Sequence, residues 1–326
     1  MKKRVLSGIQ PSGAIHLGNY LGAIKQHIEM QQNNNYDCFF FIADLHALTT
    51  VRDPKKLADM TRDVALTYLS LGLDPEKVVF FKQSDVPEHT ELAWIFSCIT
   101  PMGLLERAHA WKDAVEKGKK EKTAGLFIYP ILMAADILLY KPSLVPVGKD
   151  QKQHIEIARD IATHFNTTFG EEFPQPQELT PEDVAVVPGT DGQKMSKSYG
   201  NTIDIFAPEN ILKKQIMGIV TDSTPVEAPK DPSKCNVFQL YKLIATKEEI
   251  EDLESKYKKG GFGYGEAKKM LLAKVLEIFA PYRKKRIELE AEVGYVERVL
   301  REGANRAKIE AQKTLDEVRK MIGTRP

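Results

Sequence analysis

Val5-Leu6-Ser7-Gly8-Ile9-Gln10-Pro11-Ser12-Gly13-Ala14-Ile15-His16-Leu17-Gly18-Asn19-Tyr20 starts as a short apolar strand and breaks at a Gly/Pro/Ser turn. It reopens around His16 as a helical pattern that continues through Leu21, Ile24 and Ile28. Strand, glycine turn and helix start, in that order, aim free backbone N–H groups and the positive end of a helix dipole at an anion. Gly8, Gly13 and Gly18 let the backbone come close to a ligand. The spacing fits neither the lysine-bearing P-loop nor the dinucleotide fingerprint. Glycine and proline also punctuate ordinary connecting turns, so this stretch alone leaves both readings open.

Further apolar runs follow at Cys38 to Ala43, Val78 to Phe81 and Leu144 to Val147. Their continuous apolarity predicts strands buried on both faces, as in a parallel sheet. Between them Pro54 to Leu71, Glu88 to Ile99 and Ala124 to Tyr140 read as helices. A helix from Gln151 places Ile155, Ala158, Ile161, Ala162 and Phe165 on one face. The alternation predicts an α/β fold with a doubly wound parallel sheet, with ligands at the carboxyl ends of its strands, near Gly8, Asp44 and Gly148. Past about residue 200 the strand signals fade. Pro225, Pro229 and Pro232 mark a loop. Val237 to Ala245, Lys247 to Tyr257 and Tyr264 to Tyr282 then read as helices, the last two separated by Gly260-Gly261-Phe262-Gly263. Leu300, Ala304, Ala307, Ala311, Leu315, Val318 and Ile322 recur at steps of four and three, forming one stripe along a helix that must pack on something.

The 326 residues allow one large domain with an appendage, or two domains, and 42% hydrophobic residues support a core. A net charge of +1 gives no chain-wide nucleic-acid footprint, so any RNA contact must be local. Cys38, Cys98 and Cys235 lie far apart and form no CxxC pair, which predicts neither a zinc knuckle nor a disulfide framework. Cys38 reads as a buried strand residue. Met1-Lys2-Lys3-Arg4 lacks the apolar stretch of a signal peptide. The most apolar segment, Ala124 to Tyr140, contains Pro130 and Asp136 and reads as a buried helix, not a membrane span. The expectation is a cytoplasmic protein with no membrane contact.

Lys194-Met195-Ser196-Lys197-Ser198 concentrates the chemistry. Two lysines and two hydroxyls follow the flexible run Pro188-Gly189-Thr190-Asp191-Gly192. They make a mobile cationic clamp suited to a triphosphate that gains charge as it breaks. A solvated basic loop is the plainer alternative.

The two segments resemble the paired signatures of class I aminoacyl-tRNA synthetases. His16-Leu17-Gly18-Asn19 is similar to the HIGH motif, with Asn19 in place of the final His, and Lys194 to Ser198 matches KMSKS letter for letter. Pro11-Ser12-Gly13, Leu132-Met133-Ala134-Ala135-Asp136-Ile137-Leu138-Leu139-Tyr140 and Val145-Pro146-Val147-Gly148-Lys149-Asp150-Gln151 narrow the resemblance to the bacterial tryptophanyl-tRNA synthetase family, over nearly the whole chain. That resemblance implies a Rossmann-like catalytic domain over 1–200, a helical tRNA-anticodon-binding region over 201–287, and a terminal helix over 288–326 that packs back on the catalytic domain. It implies activation of L-tryptophan by ATP with Mg²⁺, transfer to tRNA(Trp), and a homodimer. No DNA is expected as a partner, and no protein metal site.

The resemblance also implies site residues. Lys194 and Lys197 would stabilise pyrophosphate, with Lys112 and His16 beside the phosphates. Gln10, Pro11, Ser12, Gly18, Asn19, Gly148, Lys149, Asp150, Val187, Met195, Ser196 and Ser198 would complete the ATP set. Asp136 would accept the indole N–H. Met133, Val145, Val147, Leu6 and His46 would line the tryptophan slot, and Tyr129 and Gln151 would hold the polar end. Read without the family, His16 caps or packs its turn, and Asp136 makes a salt bridge or faces solvent. The match departs at Ala108-His109-Ala110-Trp111, where many relatives carry Met-Thr-Gln-Phe. It departs again at Tyr199, where Asp is frequent. Trp111 reads as a packing anchor. Local tRNA candidates are Lys117, Lys119, Lys120 and Lys122, and Arg283-Lys284-Lys285-Arg286; a solvated face is the alternative for each. Three rivals remain. Tyrosyl-tRNA synthetase usually carries Gln at the position of Met133. A small-molecule nucleotidyltransferase would lack the RNA step. A silent RNA-binding relative would not need Lys194 and Lys197.

Overall fold

The computed structural model describes residues 2–118, 122–148, 151–179 and 187–326. Five strands, β1 (Lys3–Ile9), β2 (Tyr36–Ile42), β3 (Val79–Lys82), β4 (Leu144–Pro146) and β5 (Gln177–Leu179), pair in the order β3-β2-β1-β4-β5, every pair parallel. β1 and β2 run in register from Lys3 opposite Tyr36 to Ile9 opposite Ile42. Cys38 to Ile42 are all buried, so this strand's apolarity is continuous because both faces of the sheet are covered. Strand order reverses between β1 and β4, which puts the switch point of the sheet beyond Ile9 and Pro146.

Helices Pro54–Ser70, Glu88–Ser97, Ala124–Leu138 and Lys152–Phe169 alternate with the strands. The first opens on Asp53, whose side chain accepts the N–H of Lys56, with proline at its first position. Ala124–Leu138 carries Pro130 inside it and still buries Ile131, Ala134, Ala135, Ile137 and Leu138. β5 has no apolar run and escapes the sequence pattern. It is an edge strand, fixed by pairing with β4 and by Arg159, which donates to the Pro176 carbonyl (2.8 Å) and to Glu178 (2.7 Å).

The chain divides into two compact units. The first comprises 1–13, 27–182 and 292–326; the second comprises 14–26 and 183–291. The last helix, Tyr295–Met321, belongs to the first. Its stripe Ala304, Ala307, Ala311, Leu315 and Val318 lies in the same core as Phe81, Leu138 and Phe165. A fully buried Leu or Val contributes on the order of 1.5–3 kcal/mol, which is what the regular spacing secures. At Gly303 a Cβ would fall 1.8 Å from the Phe80 carbonyl oxygen, so the helix lies on the β3 backbone only because glycine stands there.

The second unit holds helices Glu209–Met217, Asn236–Lys242, Lys247–Lys259 and Tyr264–Ala291. Lys247–Lys259 starts with a reciprocal cap between Thr246 and Glu249. The proline-rich loop is closed by the buried Lys230 ammonium, which donates to the carbonyls of Pro225 (2.8 Å) and Ala228 (3.2 Å). The helix that opens at Leu17 is not regular: Tyr20–Ile24 is a π turn, where the apolar spacing predicts continuous helix. Residues 14–26 and 187–200 pack with these helices, so the His16–Asn19 and Lys194–Ser198 motifs lie in one unit.

Candidate active site

In the second unit the lysine segment closes a small hairpin. The Met195 N–H donates to Val187 O (2.9 Å) and the Gly189 N–H to Gln193 O (2.6 Å), while Pro188 bridges Lys194. One buried side chain then holds the strand past the turn. Asn201 donates through its amide to Asp191 (2.7 Å) and to the Lys194 carbonyl (3.1 Å), and its Oδ1 accepts the Ser196 N–H at 2.8 Å. Lys194 and Ser198 are exposed, Ser196 and Lys197 half-buried, and the Ser196 and Ser198 hydroxyls pair at 2.8 Å.

The glycine-turn segment meets this loop directly. The Leu17 N–H donates to Ile203 O (2.8 Å), His16 bridges Asp204, and the Gly18 N–H points at the buried Met195 sulfur at 3.3 Å. A Cβ on Gly18 would sit 3.0 Å from the His16 ring and 3.3 Å from Met195, which accounts for glycine in the motif. His16 and Asn19 cap each other: the Asn19 N–H reaches His16 Nδ1 (3.3 Å), and the His16 N–H reaches Asn19 Oδ1 (3.3 Å). Asn19 thus replaces a histidine with a residue that closes the helix start. Burial, and after it the positive charge of Lys197, lowers the His16 pKa to about 4. The imidazole is neutral, Nδ1 accepts, and the ring proton sits on Nε2 as a donor.

In the first unit, the carboxyl ends of β2 and β3 converge on Asp136. His46 lies in the turn Asp44–Ala47 after β2, Gln83 in the turn after β3, and His89 at the start of Glu88–Ser97. Asp136 is 1% exposed and accepts from His46 Nε2 (2.8 Å), Gln83 Nε2 (2.7 Å) and His89 Nδ1 (2.6 Å). Burial alone drives a carboxyl upward; the hydrogen bonds and charge of His46 and His89 outweigh it and bring Asp136 down to about 2. The exposed-helix-face reading of Asp136 is therefore excluded.

The other candidates separate by place. Leu6 and Val145 are buried in the sheet core, with Met133 and Val147 half-buried against it. Tyr129, half-buried, bonds His154 Nε2 at 2.6 Å, and Gln151 is half-buried at the start of its helix. Gln10, Ser12 and Gly148 are exposed, while Pro11 is buried. Gly8 is exposed, and a Cβ there would meet the Phe41 ring at 2.5 Å. Lys112 is exposed on the helix His109–Glu116, and Trp111 packs edge-on against Phe127 at 4.6 Å. Lys149, Asp150, Lys119 and Lys120 lie outside the described residues. Of the basic clusters, Arg283 is spent on the carbonyls of Ile205 and Ala207. Arg286 stacks on Phe206 and pairs with Glu290, and Lys117 pairs with Asp113. Gln83, His89, His154 and Asn201 carry no motif and escape the sequence reading, which assigns no role to Tyr140 at the end of the Leu132–Tyr140 block.

Among the described residues no helix is long and apolar enough to cross a membrane. The family model for class I tRNA synthetases (W and Y) matches residues 1–280. The tryptophan–tRNA ligase of Rhodopirellula baltica is 54% identical over 322 residues, covering 99% of this chain and 100% of that protein. That of Fusobacterium nucleatum subsp. nucleatum is 52% identical, covering 98% of each. The structure of Campylobacter jejuni tryptophanyl-tRNA synthetase complexed with ADP and tryptophane superposes with a TM-score of 0.93 at 51% identity, covering 98% of this chain and 99% of that one. With both signatures joined in one unit and a buried acceptor at the strand ends of the other, this end-to-end likeness places the chain in the class I tRNA synthetases for tryptophan and tyrosine, as a member of the tryptophan–tRNA ligases.

Proposed function

We propose that this chain carries out the ligase reaction with His16 and Lys194 to Ser198 meeting the charge of the triphosphate and Asp136 recognising the indole. The observation that carries this is the meeting of the two signatures, where the Gly18 N–H reaches the Met195 sulfur at 3.3 Å. In the first step the tryptophan carboxylate attacks the α-phosphorus of ATP and pyrophosphate leaves. The nucleophile is already anionic, so the step needs alignment and charge cover, not a base. A neutral His16 with its proton on Nε2 suits that need: it donates to phosphate and abstracts nothing. Lys194 and Lys197 neutralise the leaving pyrophosphate, and Ser196 and Ser198 donate to its oxygens. Gln10, Pro11, Ser12, Gly148 and Val187 border the nucleotide, and Lys112 contacts phosphate.

Asp136 accepts the indole N–H, with Leu6, Met133, Val145, Val147 and His46 around the ring and Tyr129 and Gln151 at the polar end. An ionised, buried acceptor rejects a ring without a donor. The second step passes the aminoacyl group to a ribose hydroxyl at the end of tRNA(Trp). The helices of the second unit meet the anticodon end, two copies of the chain act together, and the enzyme works in the cytoplasm. Mg²⁺ enters with the triphosphate. Phosphate and water are its main ligands.

Amino-acid-dependent exchange of pyrophosphate into ATP, run across all amino acids with and without tRNA, tests this. Exchange with tryptophan followed by charging of tRNA is expected. Exchange with tyrosine, or adenylate formation without charging, overturns it.

A further inference from the structure

Three side chains to which the sequence reading assigns no role lie behind Asp136. Gln83 and His89 are 0% exposed and Tyr140 is 1% exposed. Their geometry locks the carboxylate one oxygen at a time. Oδ1 accepts from Gln83 (2.7 Å) and His89 (2.6 Å), which occupies both of its lone pairs. Oδ2 accepts from His46 (2.8 Å) and, among the described residues, from nothing else.

Each donor is itself fixed. The Gln83 Oε1 accepts the Leu45 N–H at 3.2 Å, so its NH₂ faces Asp136. A carboxylate offers no proton, so His89 donates through Nδ1, and its Nε2 is hydrogen-bonded to the Tyr140 hydroxyl at 2.9 Å. Burial, then the charges of Asp136 and Glu88, hold the Tyr140 phenol well above its ordinary value, so it keeps its proton. His46 is the only member of the cluster with appreciable exposure, at 12% of its side chain, and it bonds the oxygen that still has capacity.

We propose that Tyr140, His89 and Gln83 are specificity-setting positioning residues, committing Asp136 Oδ1 so that only the last lone pair of Oδ2 can meet the amino acid. A carboxylate free to rotate could satisfy itself elsewhere when a ring lacks its N–H. A pinned one cannot, and the missing bond is felt in full. This rests on the reading of Asp136 as the indole acceptor.

The test measures kcat/KM in pyrophosphate exchange, on the full chain, for tryptophan and for its benzothiophene analogue, in which sulfur replaces the ring N–H. Tyr140→Phe removes one hydroxyl from an otherwise unchanged core. It is expected to lower the tryptophan-to-analogue ratio about five- to tenfold, the worth of roughly one hydrogen bond, with the KM for ATP unchanged. His89→Leu is expected to lower the ratio further, and His89→Asn, which keeps a donor near Nδ1, to restore part of it. A ratio unchanged in Tyr140→Phe and in folded His89→Leu, while Asp136→Asn abolishes it, overturns the proposal alone. A ratio unchanged in Asp136→Asn overturns the indole reading beneath it. A purely structural role would depress both substrates equally, and that outcome also counts against the proposal.

Discussion

The Asp136 cluster of the first unit and the Lys194–Ser198 loop of the second both manage charge, and they are built on opposite terms. Asp136 is a buried protein anion, so its partners are in place before any ligand arrives: three side chains donate to it within 2.8 Å. The lysines are proposed to meet a ligand's charge; Lys194 is exposed, and Asn201 holds the loop by its backbone. The difference follows from desolvation. A charge kept from water must carry its partners with it, whereas one that waits for a substrate can be left to solvent and only its attachment fixed.

The sharpest way to break this comparison is Lys197→Ala. Pyrophosphate exchange should fall about 10²–10³-fold, the usual loss for a group that meets transition-state charge, with the melting temperature unmoved. An unchanged exchange rate would remove the lysine from its role. The converse substitution, His89→Leu, should cost stability: about 2–3 kcal/mol by urea unfolding, since a buried carboxylate loses a charge-assisted bond. A stability equal to wild type would mean Asp136 does not depend on its cage.

Asn201→Ala should fall between the two. It frees the Lys194 carbonyl and the Ser196 N–H, and exchange should drop roughly tenfold through kcat and the KM for ATP, with about 1–2 kcal/mol of stability lost. A change confined to the KM for tryptophan would refute the assignment. The smallest expected effect is at His16. Its folded pKa is depressed from 6.5 to about 4, so its neutral form favours folding fully above pH 6.5, and that contribution is lost as pH falls through about 4. Its imidazole NMR shifts should therefore stay flat from pH 8 to about 5.5, and titration near 6.5 would show the ring is not enclosed. Because Lys197 contributes to the depression, Lys197→Ala should move that titration upward.

Much of the sheet was legible because its strands advertise themselves. Cys38 to Ile42 is apolar at every position, and the stripe from Leu300 to Val318 repeats at helical steps. β5 was not legible, because Gln177-Glu178-Leu179 is a strand only by virtue of its neighbour β4. Nor was the π turn at Tyr20–Ile24, whose apolar spacing is that of an ordinary helix. Arg283 and Arg286 look alike to a solvated basic face in sequence, yet each is committed to partners within its own unit.

The chemistry divides the same way. Five consecutive residues, Lys194 to Ser198, state their cationic character without reference to anything else, because adjacency in the chain already concentrates the charge. The order of apolar runs likewise determined a parallel sheet. Only the tertiary structure decided that Gln83, His89 and Tyr140 surround Asp136, and that Asn201 grips the lysine loop. These side chains are single polar residues scattered along the chain. A hydrogen bond between them depends on ångström-scale positions that only the stacking of helices on strands supplies.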